Sequence, residues 1–437
     1  MCDTFVALPS ATAAKSVILA KSADCQVNEA HALVRLPHKS HIPGELVLAT
    51  HRMIPQVELT HDVILSKSFW TWGGEIGLNE FGVAIGNEAV FSKVMCNEKD
   101  DGLITMDLLR LGLERASSAR QAVEVIGDAV SRFGQGGNCE LAGNSHFDSS
   151  FLISDTTEAW VLETAGREWA AKKVGPVASI SNAYTIHADW DLCSLADVKP
   201  GLDWANEVAD LAPIESIGSL ERQQTTCNYL TNIGNGITIR DAFNLLRSHP
   251  EGYHPATAQS HAICMHAGSG EARLWNACGA MASEVSSDGI IGWFTGTSGT
   301  CVSIFKPLFP GVDLPHMGSI PTEIYDPNAM WWIGELLHRR AMADFDGAAV
   351  EIRHEFEKLE DLFIQESKSL IKGSSIEKKQ FSEDCFQQAA EATWRWVHLL
   401  SSSKDLSFAD ASFGAAWERF NREAGLTGLP GVECQSC

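Results

Sequence analysis

The chain has 437 residues, 45% hydrophobic and 20% charged, enough to bury a large core as one domain or a domain with an appendage. Lys and Arg number 33 against 56 Asp and Glu, a net charge of -23, and such a surface repels phosphate backbones and anionic lipid, so neither nucleic acid nor membrane is an expected partner. No apolar run is long enough to span a bilayer, and Pro9 and Lys15 interrupt the stretch a signal peptide would need.

A cytoplasmic location follows as the expectation, with the twelve cysteines as free thiols. Cys434 and Cys437 have redox or zinc spacing but read as a frayed tail. The opening reads as a hairpin, with strands over 2–8 and 16–21 around Pro9-Ser10-Ala11. A second hairpin joins 72–78 to 83–90 through Asn79-Glu80-Phe81-Gly82. Helices follow over 106–115 and 119–133, the second with Ser117-Ser118 as cap candidates and Gly134 as its stop. Strands are predicted at 151–154, 159–163, 168–174 and 177–181, and helical stretches near 202–211 and 239–247. A last group of strands is expected at 262–266, 280–285, 290–294 and 302–305. Hairpin connections dominate, so two antiparallel sheets packed together and covered by helices satisfy the pattern. Prolines 307, 310, 315, 321 and 327 mark a boundary, with Asp326-Pro327 opening a helical remainder over 328–345, 348–372 and 383–400. The expected organisation is a sandwich domain over 2–310 and a helical region over 326–437.

Phosphate-loop, dinucleotide-loop, zinc-protease and EF-hand signatures are absent, and no cofactor is expected. The pairs His249/His254 and His261/His266 are each five apart, which on a strand puts the partners on opposite faces, so no metal site is expected either. Cys2 stands out. Removal of Met1 needs a small second residue, and it would leave a thiol and a free α-amine on one residue. The amine, with a reference pKa of roughly 8, accepts the thiol proton near neutral pH.

The residues that follow carry a resemblance. Cys2-Asp3-Thr4-Phe5-Val6-Ala7-Leu8-Pro9 is similar to the opening of the secernins and the related cysteine dipeptidases of the N-terminal nucleophile hydrolase superfamily. The register continues through Trp72-Gly73, Asn79-Glu80-Phe81-Gly82-Val83, Ile85-Gly86-Asn87-Glu88 and Gly134-Gln135-Gly136-Gly137-Asn138-Cys139. It runs on through Glu163-Thr164-Ala165-Gly166, Ile180-Ser181-Asn182, Ile263-Cys264-Met265-His266-Ala267 and Thr295-Gly296-Thr297, covering about the first 310 residues.

The resemblance implies an α+β fold, the four-layer αββα N-terminal nucleophile hydrolase sandwich, with a C-terminal helical extension and Cys2 at the start of a central strand. It implies a hydrolase cleaving a dipeptide or small N-acyl amide through an acyl-enzyme on Cys2. Lys21, at the end of the second strand, matches a cation that favours thiolate, and Asp24 matches the carboxylate that holds the amine. Asn87 and Asn182 match donors to the oxyanion, and Arg222 a further arginine near the site. Secernin-like proteins also suggest a rival, a non-catalytic interaction protein, while an acylase of penicillin-like or bile-acid-like amides would share the mechanism. The chain has Lys21-Ser22-Ala23-Asp24-Cys25 where Lys-Asn-Ser-Asp-Arg is usual, and it lacks paired threonines near 277–281. The substrate's identity and the oligomeric state, a homo-oligomer included, stay open at this stage.

Overall fold

The computed structural model describes residues 2–94, 102–256, 262–269, 273–401 and 410–426. The opening hairpin pairs β1 (Cys2–Ala7) with β2 (Val17–Gln26), in register from Cys2 opposite Ala23 to Ala7 opposite Ile18. After β3 (His31–Leu36) come two small ribbons, β4 (Lys39–Ser40) with β7 (Leu59–Thr60) and β5 (Leu46–Leu48) with β6 (Met53–Pro55). β8 (Val63–Ser68), β9 (Ile76–Asn79) and β10 (Ala84–Val90) lead into α1 (Thr105–Arg115) and α2 (Ala119–Phe133). Five strands follow, β11 (Asp148–Ser154), β12 (Ala159–Ala165), β13 (Glu168–Lys173), β14 (Val177–Ile180) and β15 (Leu192–Cys193). Then come α3 (Trp204–Val208), α4 (Leu211–Ser216), α5 (Ser219–Ile233) and α6 (Ile239–Leu246), ahead of β16 (Trp275–Ser286), β17 (Gly289–Phe294) and β18 (Lys306–Leu308). The C-terminal helices are α7 (Met330–Ala341), α8 (Ala348–Leu370), α9 (Ser375–Ser401) and α10 (Ala411–Glu423).

Two antiparallel sheets result. One has the order β14-β1-β2-β16-β17-β18 and the other β15-β13-β12-β11-β10-β9-β8-β3. Alternation along the first hairpin shows why they stack. Phe5, Ala7, Ile18 and Ala20 join an outer core with Phe243, Trp293, Trp331 and Ile352. Val6, Val17 and Leu19 point the other way, into a core between the sheets with Ile64, Leu78, Leu152 and Met281. A third core places Ile85, Phe151 and Ile153 against Leu108, Leu111 and Ile126 of α1 and α2. Each such side chain contributes roughly 1.5–3 kcal/mol on burial, so both faces of both sheets must be covered. The layers are helix, sheet, sheet, helix, the αββα order expected.

Local chemistry sets the ends where the sequence is most explicit. Ser118 accepts from the Gln121 amide at the start of α2, and Gly134, at φ 73°, closes it in a conformation that side chains avoid. Elsewhere the structure departs from expectation. Residues 262–266 are irregular and not a strand, because their backbone turns back towards α6, with Cys264 N–H donating to Ser248 O. At 302–305 a 3-10 turn, Thr300–Val302, replaces the expected strand, which starts only at Lys306. Asp326 caps a turn at Asn328, and α7 begins four residues past Asp326. The 22–72 region holds strands that apolar alternation did not reveal.

The C-terminal helices share the outer core of the first sheet. Glu360 of α8, fully buried, pairs with Arg247 and with Arg240 and accepts from the Phe305 amide. No described helix is long and apolar enough to cross a membrane, and the Cys434-Cys437 pair lies outside the described residues.

Candidate active site

Cys2 begins β1, which lies inside its sheet between β14 and β2, so neighbours reach it from both sides. Its backbone N–H donates to Asn182 Oδ1 at 2.9 Å, just beyond the end of β14. On the β2 side the Asp24 N–H points at Cys2 Sγ, 3.4 Å away. The Cys2 carbonyl accepts from Arg222 Nη1 at 3.2 Å and from Ser181 Oγ at 3.4 Å. Arg222, from α5, also pairs with Asp3 and donates through Nη2 to Asn182 Oδ1 at 2.9 Å. One guanidinium thus ties residue 2, residue 3 and residue 182 together, the planar fork that arginine offers and lysine lacks.

Behind this lies a charged layer between the sheets. Lys21 Nζ donates to Glu75 O at 2.9 Å and Glu75 Oε2 at 3.1 Å, and also to Asn87. Asn87 sits next to Gly86, where a Cβ would come within 2.6 Å of Thr4 Oγ1. Glycine there lets β10 approach β1 and β2 closely enough for these contacts. Burial works against the Lys21 charge, but Cys2 and Glu75 outweigh it and its pKa is raised.

The carboxylates behave differently. Burial pushes Asp24 up to about 8 and Glu88 up to about 8, and it raises Asp3 too, against the opposing pull of Arg222. Both Asp24 oxygens are buried without a hydrogen-bond partner, a costly state for a carboxyl group. Burial also raises the Cys2 thiol to about 12, against the pull of Lys21. Burial thus works against the thiolate that a nearby cation would favour. Desolvation exceeds the attraction of a cation already engaged by Glu75 and Asn87.

Cys2, Asp24, Glu75, Asn87 and Asn182 line one cavity of about 360 Å³, with Phe91, Phe147 and Trp275 among its apolar walls. Lys21 and Arg222 stand outside the lining. The other five residues singled out in the sequence are thus gathered around Cys2, with two corrections of geometry. Lys21 sits mid-strand and not at a strand end, because β2 runs on to Gln26. Asn182 presents its oxygen to Cys2 and spends its amide nitrogen on Ala89 O at 2.9 Å, so it does not face the site as an oxyanion donor. Asn87 Nδ2 is held only loosely, by Gly74 O at 3.4 Å. Sequence reading missed Glu75, which carries no motif, and α5, whose polar, weakly patterned sequence hid the helix that carries Arg222.

The strand spacing behind the histidine reading does not hold in the structure. His249 follows α6, His254 is in a loop and His266 is in the irregular segment before β16, so the strand argument does not apply; His261 lies outside the described residues. Instead His249, Cys264, His266 and Cys301 bring four ligand-type atoms within 4.8 Å of one another. The Cys264-Met265-His266 spacing was the available signal.

Cys2 thus heads an interior strand of an αββα sandwich, at the wall of a cavity. Residues 60–194 match the family model of peptidase family C69. Among solved structures it is similar to a penicillin V acylase from Agrobacterium tumefaciens, at 13% identity and TM-score 0.41, over 67% of this chain and 82% of that one. It is similar too to a conjugated bile acid hydrolase from Clostridium perfringens, at 12% identity and TM-score 0.42, over 67% and 88%. A Caenorhabditis elegans ortholog of N-acylethanolamine-hydrolyzing acid amidase matches at 10% identity and TM-score 0.36, over 64% and 92%. Likeness at this distance says nothing about substrate.

Proposed function

We propose that the protein is an amide-bond hydrolase acting through Cys2 as its N-terminal residue, on a dipeptide or small N-acyl amide. The observation that carries this reading is the Asp24 carboxyl, buried and without a hydrogen-bond partner in the cavity that Cys2 also lines. A free α-amine on Cys2 is the partner that group lacks. Asp24 and Asn182 Oδ1 then hold the amine, and Arg222 fixes Asn182 and the Cys2 carbonyl.

The high thiol pKa favours concerted transfer over a free thiolate. As Sγ bonds to the substrate carbonyl carbon, its proton passes to the amine. The tetrahedral oxyanion takes a hydrogen bond from Asn87 Nδ2, Lys21 supplies positive charge behind Asn87, and the C–N bond breaks as the amine protonates the leaving nitrogen. Water then attacks the thioester and gives a proton to the amine. The C–S bond breaks with the proton returning to sulfur, and the carboxylic acid leaves.

A secernin-like dipeptidase is the finer assignment, supported by the motif register along the first 310 residues, with a cytoplasmic location and a division at about 310–326. The helices after 326 then act as scaffold. The test joins intact mass with turnover. The mature protein should lack Met1, and a panel of dipeptides and N-acyl amides, penicillin-like and bile-acid-like compounds included, should reveal turnover. Cys2→Ala should fold, be processed and lose about 10⁴–10⁶-fold of it, the scale of nucleophile removal. Full retention of Met1 on native protein, or turnover unaffected by Cys2→Ala, would sink the mechanism and leave the non-catalytic reading.

A further inference from the structure

A second buried constellation lies apart from the cavity, and none of its residues lines it. His249 Nε2 stands 3.0 Å from His266 Nε2, which is also 3.7 Å from Cys264 Sγ and 3.5 Å from Cys301 Sγ. Bond lengths of about 2.3 Å to sulfur and 2.0–2.1 Å to nitrogen make the edges of a tetrahedral zinc site about 3.3 Å between nitrogens and about 3.6 Å between nitrogen and sulfur. The observed separations fall on either side of those values.

Hydrogen bonding alone accounts poorly for the cluster. A single ring nitrogen offers either one N–H or one lone pair, yet His266 Nε2 faces three heteroatoms. The other side of that ring decides which it offers. His266 Nδ1 is 2.8 Å from His338 Nε2, and His338 Nδ1 is 3.1 Å from Glu335 Oε2. Glu335 is buried and ionised, held down to about 2 although burial alone would raise it, because Arg339 and His338 lie against it. The carboxylate accepts only, so it takes the Nδ1 proton of His338, whose Nε2 in turn faces His266 Nδ1 and takes its proton. His266 Nε2 is left with a lone pair aimed at the other three groups. A carboxylate-to-histidine chain behind a ligating imidazole is how metal-bound histidines are oriented.

We infer that His249, Cys264, His266 and Cys301 form a structural zinc site, closed by four protein ligands. Two imidazoles and two thiolates in a tetrahedron suit zinc, and the absence of an open position sets the site apart from a catalytic one. The metal would clip the end of α6, the irregular segment before β16 and the Thr300–Val302 turn into one unit, with α7 behind them. Gly299 fits this packing, since a Cβ there would come within 2.5 Å of His338 Cδ2.

Elemental analysis of the full chain, purified without chelators and dialysed against Zn²⁺, should give one zinc per chain. The double variant Cys264→Ala/Cys301→Ala should fall below about a tenth of that, and His338→Ala should retain zinc 10–100-fold more weakly. Replacement by Co²⁺ in the native protein needs no variant, so it decides the matter if the double variant does not fold. Intense tetrahedral cobalt bands with thiolate-to-metal charge transfer are expected. The inference is overturned by a metal-free protein, by a cobalt spectrum without thiolate bands, by a Cys264–Cys301 disulfide in alkylation mass mapping, or by zinc stoichiometry unchanged in a folded double variant.

Discussion

Two buried carboxyl groups, Asp24 and Glu335, experience nearly the same loss of water and end in opposite states. Glu335 meets Ser298, His338 and Arg339, and Arg339 passes on to Asn421, so the charge is met on every side and its pKa falls to about 2. Asp24 meets no donor and rises to about 8. The first arrangement fastens α7 and α10 to the body of the protein. The second, at the wall of a cavity beside a thiol, is a place where a group not yet supplied would be strongly held. On the proposed function, satisfied carboxylates such as Glu335 serve the architecture, while Asp24, with both oxygens unpartnered beside the thiol, serves the chemistry.

That contrast breaks if removing Asp24 harms folding more than function. Asp24→Asn takes away an unpaired buried carboxyl, so thermal stability should hold or rise slightly, while kcat/KM falls by about 10²–10⁴-fold through loss of the group that holds the amine. Parallel unfolding and kinetic measurements check both halves. A large loss of melting temperature with activity per folded molecule intact would return Asp24 to the architectural class.

The opposite outcome is expected for Glu360, a satisfied carboxylate joining α8 to α6. Glu360→Ala strands Arg247, only 2% exposed, and should cost about 3–5 kcal/mol in denaturant unfolding. Turnover per folded molecule should stay within about twofold. Loss of activity without loss of stability would show that the C-terminal helices act on the site directly.

Legibility followed how local the cause was. The first hairpin and α2 were readable because alternation, turn residues and caps lie within a few positions of what they determine. Cys2 was readable from its place directly after Met1, and Asp24 only through the resemblance that the residues after Cys2 carry. Glu75, the loose Asn87 amide and the orientation of Asn182 were not, since each depends on which atom of another strand arrives opposite. Residues 262–266 misled for a related reason. Ala262, Ile263 and Cys264 look like strand, yet all three are buried without being one, the last two in the outer core that residues of α6 and α7 share, which period alone does not reveal. The histidine pairs misled in the same way, because His266 lies against His249, which no short spacing connects to it.

The smallest expected effect concerns Arg222, which sharpens the contrast because it shares features of both classes, paired through both Nη atoms yet with a buried Nε that has no partner. Arg222→Lys keeps the charge but reaches fewer of the Cys2 carbonyl, Asp3 and Asn182. Losing one or two of these bonds should cost about 1–2 kcal/mol at neutral pH. The deficit should depend on pH with a definite sign. Burial raises the folded pKa of Asp3, and Arg222 opposes that rise, so a weaker cation lets the pKa climb further. An acid whose pKa is raised by folding favours the fold below its unfolded value near 3.8 and loses that contribution as pH rises towards the folded value. The difference between wild type and Arg222→Lys should therefore widen from pH 4 to pH 8, read from urea unfolding at each pH. Turnover should drop by about tenfold, mostly in kcat, because the carbonyl and Asn182 are repositioned while the cavity wall is unchanged. A deficit that narrows with rising pH would place the main role of Arg222 elsewhere than beside Asp3.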